Sequence, residues 1–89
     1  MEIRYHARFL KHYRLRIQDS VGLRRRLEDR VELFTKDPDN EGLQDHPLRG
    51  KKLGLRAFSV TGDVRIVYRW MGKNVVQFLD VGSHNQVYE

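Results

Sequence analysis

The hydrophobic residues of this 89-residue chain change their period once, and that change sets the order in which its elements can come. Tyr5, Phe9, Tyr13 and Ile17 recur every four residues, and Leu23, Leu27, Val31 and Phe34 follow at spacings of four, four and three. Side chains spaced in this way line one face of a helix. Two amphipathic helices are therefore predicted, with Arg24, Arg25, Glu28 and Glu32 on the wetter side of the second and the Arg24-Arg25-Arg26 run on its outer face. Asp19 or Ser20 breaks or caps the chain between them. Pro38 ends the second helix, because its missing N–H and its ring disfavour continuation and push Asp37 toward an extended backbone. From Leu53 onward the period is two. Residues 55–60, 64–70 and 75–81 are β-branched and aromatic runs of strand length. Thr61-Gly62-Asp63 and Met71-Gly72-Lys73-Asn74 separate them and are short enough for tight hairpins. Residues 3–5 supply one more strand at an edge. The expected fold is α+β, an N-terminal helical hairpin packed on one face of a twisted, mainly antiparallel four-stranded sheet, with residues 37–45 as a surface loop.

With 39% hydrophobic residues, residues 1–89 are expected to form a single domain with one modest core. The absence of cysteine excludes disulfides, thiolate metal sites and a cysteine nucleophile. There is no HxxxH or HExxH spacing, and neither a metal nor another cofactor is expected. No run approaches the length of a membrane span, and the opening residues carry no secretory signal, so the expected location is the cytoplasm, away from membranes. The net charge of +5 is unevenly placed. Residues 46–73 hold seven Lys/Arg (Arg49, Lys51, Lys52, Arg56, Arg65, Arg69 and Lys73) against one Asp. Cations clustered in this way favour polyanions by neutralising phosphates and releasing counterions.

Alternation within residues 64–70 decides where chemistry can sit. Arg65, Val67 and Arg69 share one face of the strand, and Ile66, Tyr68 and Trp70 share the other. With the helices on the apolar face, Arg65 and Arg69 project from an open one that can receive an RNA strand. Arg56 joins them only if the strand register permits.

The succession of KDP, DHPLRG, GLR, GDVRIVY and VGSHNQVY along almost the whole chain resembles the RelE superfamily of toxins from type II toxin–antitoxin pairs, in particular its RelE/StbE and YafQ-like branches. The resemblance implies a RelE-like fold and a ribosome-dependent mRNA endoribonuclease, an mRNA interferase that inhibits translation and is held inactive by a cognate antitoxin. Carried over by position, His46 matches the histidine of the YafQ-like motif and lies where YoeB-like toxins have a glutamate base. Arg65 matches the arginine that acts at the scissile phosphate, and Asp63 the aspartate before the aromatic position. His84 and Tyr88 match the C-terminal histidine and aromatic. Ser59 replaces another functional histidine and Val64 a tryptophan, which implies fewer acid–base groups or a different use of them.

These residue types suit metal-independent RNA cleavage. RNA carries its own nucleophile, the 2′-hydroxyl, so an enzyme has to align it, take its proton, stabilise charge on the phosphate and protonate the leaving oxygen. Two imidazoles can move protons in either direction near neutrality, and a guanidinium can grip phosphate oxygens with two hydrogen bonds. The expected catalytic set is therefore His84 and His46 as acid and base in either order, Arg65 on the phosphate, Tyr88 stacking on a base or donating to the leaving oxygen, and Asp63. Arg49, Lys51, Lys52, Arg56 and Arg69 are expected to bind RNA. Plainer roles exist: a turn hydrogen bond for His46, a pairing of Arg65 with Asp80 or Asp63, and a hairpin-shaping role for Asp63. His6 and His12 stay outside the site. The implied partners are the antitoxin, the ribosome and mRNA, with operator DNA reached only through the antitoxin complex. Two alternatives share the scaffold: a ParE-like inhibitor of DNA gyrase, and a weakened toxin serving chiefly as the antitoxin's partner in a repressor complex.

Overall fold

The computed structural model describes residues 1–50 and 54–88. The chain runs through β1 (Glu2–Tyr5), α1 (Ala7–Arg16), α2 (Val21–Lys36), a 3-10 turn (Glu41–Leu43), β2 (His46–Pro47), β3 (Arg56–Ser59), β4 (Val64–Gly72), β5 (Val75–Ser83) and α3 (His84–Tyr88). The five strands lie in the order β1-β5-β4-β3-β2, with β1 parallel to β5 and every other neighbour antiparallel.

Capping chemistry places the helical hairpin where the periodicity predicts it. The His6 ring accepts the Arg8 N–H at the start of α1, and the Ser20 hydroxyl accepts the Leu23 N–H at the start of α2. The second helix stops at Lys36, and Asp37 before Pro38 has an extended φ of −150°. Tyr5 belongs to β1 rather than to α1, yet its ring stays in the predicted stripe, 5.5 Å from the Phe9 ring. The main core is aromatic. Phe34 of α2 stacks on Phe58 of β3 at 4.6 Å and meets Tyr68 of β4 edge-on at 4.9 Å. All three are at most 1% exposed, and each contributes on the order of 2 kcal/mol by leaving water.

The sheet departs from expectation in strand number, since it has five strands rather than four. The additional one, β2, is only His46 and Pro47, paired opposite Ala57 and Arg56. The predicted surface loop over residues 37–45 also needs correction. Leu43 has no exposed surface, and its 3-10 turn is held by Arg30, which donates to the Gly42 and Ser59 carbonyls. Arg26 donates to the Val60 carbonyl at 2.9 Å, so one member of the arginine run ties α2 to the end of β3 instead of only facing solvent.

On its far side, β5 outruns β1, and α1 covers the length left over. The His6 N–H bonds the Phe78 carbonyl, and Arg16 Nη1 donates to the Val81 carbonyl at 2.8 Å. His12 Nδ1 meets Asp80 Oδ1 at 2.6 Å, and Arg16 lies 3.7 Å from the same oxygen. Asp80 is thus committed to α1.

The face of the sheet away from this core is less open than the alternation of residues 64–70 suggests. Leu48, Ala57, Val67 and Val87 form a second buried cluster there, with Leu55, Leu79 and Tyr88 packed against it. Its lid is α3, which the hydrophobic period does not reveal. A capping box starts α3: Gln86 Oε1 accepts the Ser83 N–H at 2.7 Å while Ser83 Oγ accepts the Gln86 N–H at 3.3 Å. Gly82 makes room for this, since a Cβ there would lie 2.5 Å from Arg16 Nη1 and 2.7 Å from Gln86 Oε1.

Candidate active site

Three of the other four predicted catalytic side chains meet around Tyr88. The phenol of Tyr88 lies 3.2 Å from His46 Nε2. His46 Nδ1 lies 3.0 Å from the carbonyl of Gln44, a group that can only accept, so Nδ1 carries the hydrogen. In the neutral ring the lone pair is then on Nε2, where it accepts from the Tyr88 hydroxyl. Gln44 sits in the left-handed region (φ 52°, ψ 36°) after the 3-10 turn, two residues ahead of β2. The buried turn of Leu43 therefore helps fix the tautomer of His46.

His84 also packs on Tyr88, with the two rings 4.4 Å apart and edge-on at 86°. The two lie four residues apart on α3 and so share one helix face. Arg65 is the third group at Tyr88. Burial pushes the Tyr88 hydroxyl above the ordinary phenol range, and the Arg65 guanidinium pulls it back down. Arg65 Nη1 is itself held by the Ser59 hydroxyl at 2.9 Å and the Thr61 carbonyl at 3.0 Å. Neither Asp80 nor Asp63 pairs with it among the described residues, so the suggested carboxylate pairing is replaced by a clip of neutral acceptors. Asp63 bonds elsewhere, with Oδ1 3.4 Å from the His84 N–H. It joins the β3–β4 turn to the first residue of α3.

The predicted RNA-binding cations are scattered. Arg49 is exposed and lines a shallow cavity of about 260 Å³ together with His46, Pro47, Leu48 and Tyr88. Lys51 and Lys52 lie outside the described residues. Arg69 is exposed on the same face as Arg65 and donates to Gln77 Oε1 at 3.1 Å. Arg56 does not join them. The register places it opposite Tyr68, and its Nε bonds Asp45 Oδ1 at 2.8 Å while the Tyr68 hydroxyl bonds the other oxygen of Asp45. It is an ion-pair partner at the helix-covered face, away from His46 and His84. Among the described residues no group of His, Asp and Glu could hold a metal ion.

Sequence reasoning missed the residues that hold the site. Ser59 is legible only as a substitution, and its service to Arg65 follows from their being directly opposite across β3 and β4. Ser83 and Gln86 were legible, because S-x-x-Q is the spacing of a capping box.

Comparison with solved structures places the fold among bacterial toxins. YafQ from E. coli strain BL21(DE3) is 21% identical with a TM-score of 0.77, covering 99% of this chain and 98% of that one. The YafQ of the E. coli DinJ-YafQ toxin-antitoxin complex is 22% identical with a TM-score of 0.75, covering 99% and 97%. A YoeB/ParE toxin from Agrobacterium tumefaciens is 18% identical with a TM-score of 0.79, covering 94% and 99%. No curated protein matches the chain. The family described as bacterial toxin of type II toxin-antitoxin system, YafQ, matches residues 1–89, and the chain belongs to that family.

Proposed function

We propose that this toxin is a metal-independent endoribonuclease that cuts mRNA on the ribosome and so stops translation. The observation that carries the proposal is the convergence of His46, His84 and Arg65 on Tyr88 beside an open cavity. His46 suits the role of base, because its Nδ1–H is committed to a carbonyl and its lone pair is therefore on Nε2, beside the Tyr88 hydroxyl. It takes the proton of the 2′-hydroxyl, whose oxygen bonds to phosphorus as the bond to the 5′-oxygen breaks. His84 returns a proton to that oxygen, which leaves a 2′,3′-cyclic phosphate and a 5′-hydroxyl. Arg65 faces the developing charge on the phosphate, a service typically worth several kcal/mol. Tyr88, neutral at physiological pH, orients His46 and offers a ring face to a base. Asp63 serves as a positioning residue for His84.

A cognate antitoxin is the partner that membership of a toxin–antitoxin family supports, and contact with operator DNA would then run through that complex. No helix among the described residues is long and apolar enough to cross a membrane, and action on ribosomes places the toxin in the cytoplasm.

The test is mRNA cleavage by the purified protein with and without programmed ribosomes, beside His84→Ala and Arg65→Ala. Ribosome-dependent cutting that collapses in both folded variants is the expected result. Absence of cutting by the folded, antitoxin-free protein would overturn it in favour of gyrase inhibition or a partner-only role.

A further inference from the structure

We infer that a second cleft on the α3 side of the sheet, beside the candidate active site, binds one nucleotide of the RNA strand next to the scissile position. The inference rests on the ribonuclease function and adds to it a subsite with residues from the N-terminal end of the chain.

The cleft has a volume of about 340 Å³, room for a nucleobase with part of its backbone. Its floor is apolar, made by Leu55, Val67, Leu79 and Val87. Val87 is the residue before Tyr88 on α3, so the floor continues the small cluster on which Tyr88 packs. A strand leaving the scissile phosphate along this face therefore reaches the cleft next. A flat base covers apolar floor in a way that does not depend on which base it is.

The rim is cationic. Arg8 and Arg69 flank the cleft, and both are exposed. The Arg8 guanidinium has no partner among the described residues, and Arg69 uses only Nε, on Gln77. One carboxylate, Asp80, also borders the cleft, but it is already engaged by α1, with His12 Nδ1 at 2.6 Å and Arg16 Nη1 at 3.7 Å from its Oδ1. Two arginines are thus left for a phosphate, which suits their planar, permanently charged forks. His6 completes the rim with a defined donor. Its Nδ1 accepts the Arg8 N–H at 3.0 Å, so in the neutral ring the hydrogen is on Nε2. That hydrogen can meet a carbonyl or ring nitrogen on the edge of a base. His6 and Arg8 enter the RNA path only because β1 lies beside β5 and turns directly into α1.

The test is fluorescence anisotropy with a labelled single-stranded RNA whose 2′-hydroxyls are methylated, so that it binds without being cut. Wild type, Arg8→Ala, Arg69→Ala and the double variant are titrated at several salt concentrations. Lys36→Ala, which removes a cation on the far helix, serves as the control for net charge. Each cleft variant is expected to bind about tenfold more weakly, and its log–log salt slope to fall by about 0.7 for each phosphate that is no longer neutralised. An abasic residue next to the scissile position should weaken binding to wild type, because the base no longer covers the apolar floor. Cleft variants that bind no worse than Lys36→Ala would overturn the inference while leaving the ribonuclease function in place, provided that wild type still cuts on programmed ribosomes and Arg65→Ala does not. A wild type that neither binds nor cuts would overturn both.

Discussion

Arg65 and Ser59 stand directly opposite each other on β4 and β3, and the guanidinium donates to the serine hydroxyl at 2.9 Å. That hydroxyl passes its own hydrogen to the Thr61 carbonyl at 2.6 Å, which also accepts from Arg65. The hydroxyl is therefore used in both directions and one corner of the guanidinium is fixed. Ser59→Ala is expected to lower the cleavage rate about tenfold while stability falls by only about 1 kcal/mol. Arg65→Ala should cost about 100-fold or more, and Arg65→Lys should recover little, because an ammonium cannot reproduce the fork. Single-turnover cleavage alongside thermal melting checks both, and an Arg65→Lys enzyme near wild-type rate would contradict the fork.

Tyr88 holds its proton more tightly than a free phenol, with burial as the main cause. It should stay neutral at physiological pH, so neither limb of the pH–rate profile is expected to belong to the phenol. Tyr88→Phe should lower the rate about tenfold by removing the hydrogen bond to His46. An alkaline limb that disappears in Tyr88→Phe would show the phenol to be the titrating group.

The helices α1 and α2 and the strands β3, β4 and β5 were legible because each buries a regular stripe or alternation that survives in one dimension. The features that build the site are of another kind. His46 and Tyr88 touch across 42 residues of sequence, and no local period encodes their meeting. A strand of two residues, one of them proline, exists only through its pairing with β3. Leu43 is buried in the main core and Arg30 holds its turn, a tertiary effect inside a segment whose composition reads as loop. Arg56 went to the helix-covered face because register, not composition, decides which way a strand residue points.

The Ser83–Gln86 capping box sets the start of the helix that carries both His84 and Tyr88. A five-residue helix has little stability of its own, so its caps matter more than in a long one. Ser83→Ala combined with Gln86→Ala should cost about 1 kcal/mol globally. Amide exchange should accelerate in α3 well before it does in β4. Cleavage should fall by more than the reduced stability explains, and unchanged α3 protection would refute the account.

Tyr68 has its pKa raised above that of a free phenol, first by burial and then by its bond to Asp45. The folded state keeps the phenol proton that the unfolded chain releases near pH 10. This contribution to stability is complete below about pH 10 and is lost as pH rises from there toward the folded-state value. Tyr68→Phe should therefore flatten the alkaline loss of stability in denaturant titrations, at a cost of about 1 kcal/mol at neutral pH.

The two ends of the sheet give β1 and β2 a consequence beyond the site. One border is two residues long and includes Pro47, which has no N–H to offer. The other is four residues long, with Glu2 and Arg4 bonded to each other along it. The remaining reach of β5 is occupied by α1. Among the described residues a stray strand or a second copy finds little open ladder to extend, so the sheet's borders disfavour cross-β growth.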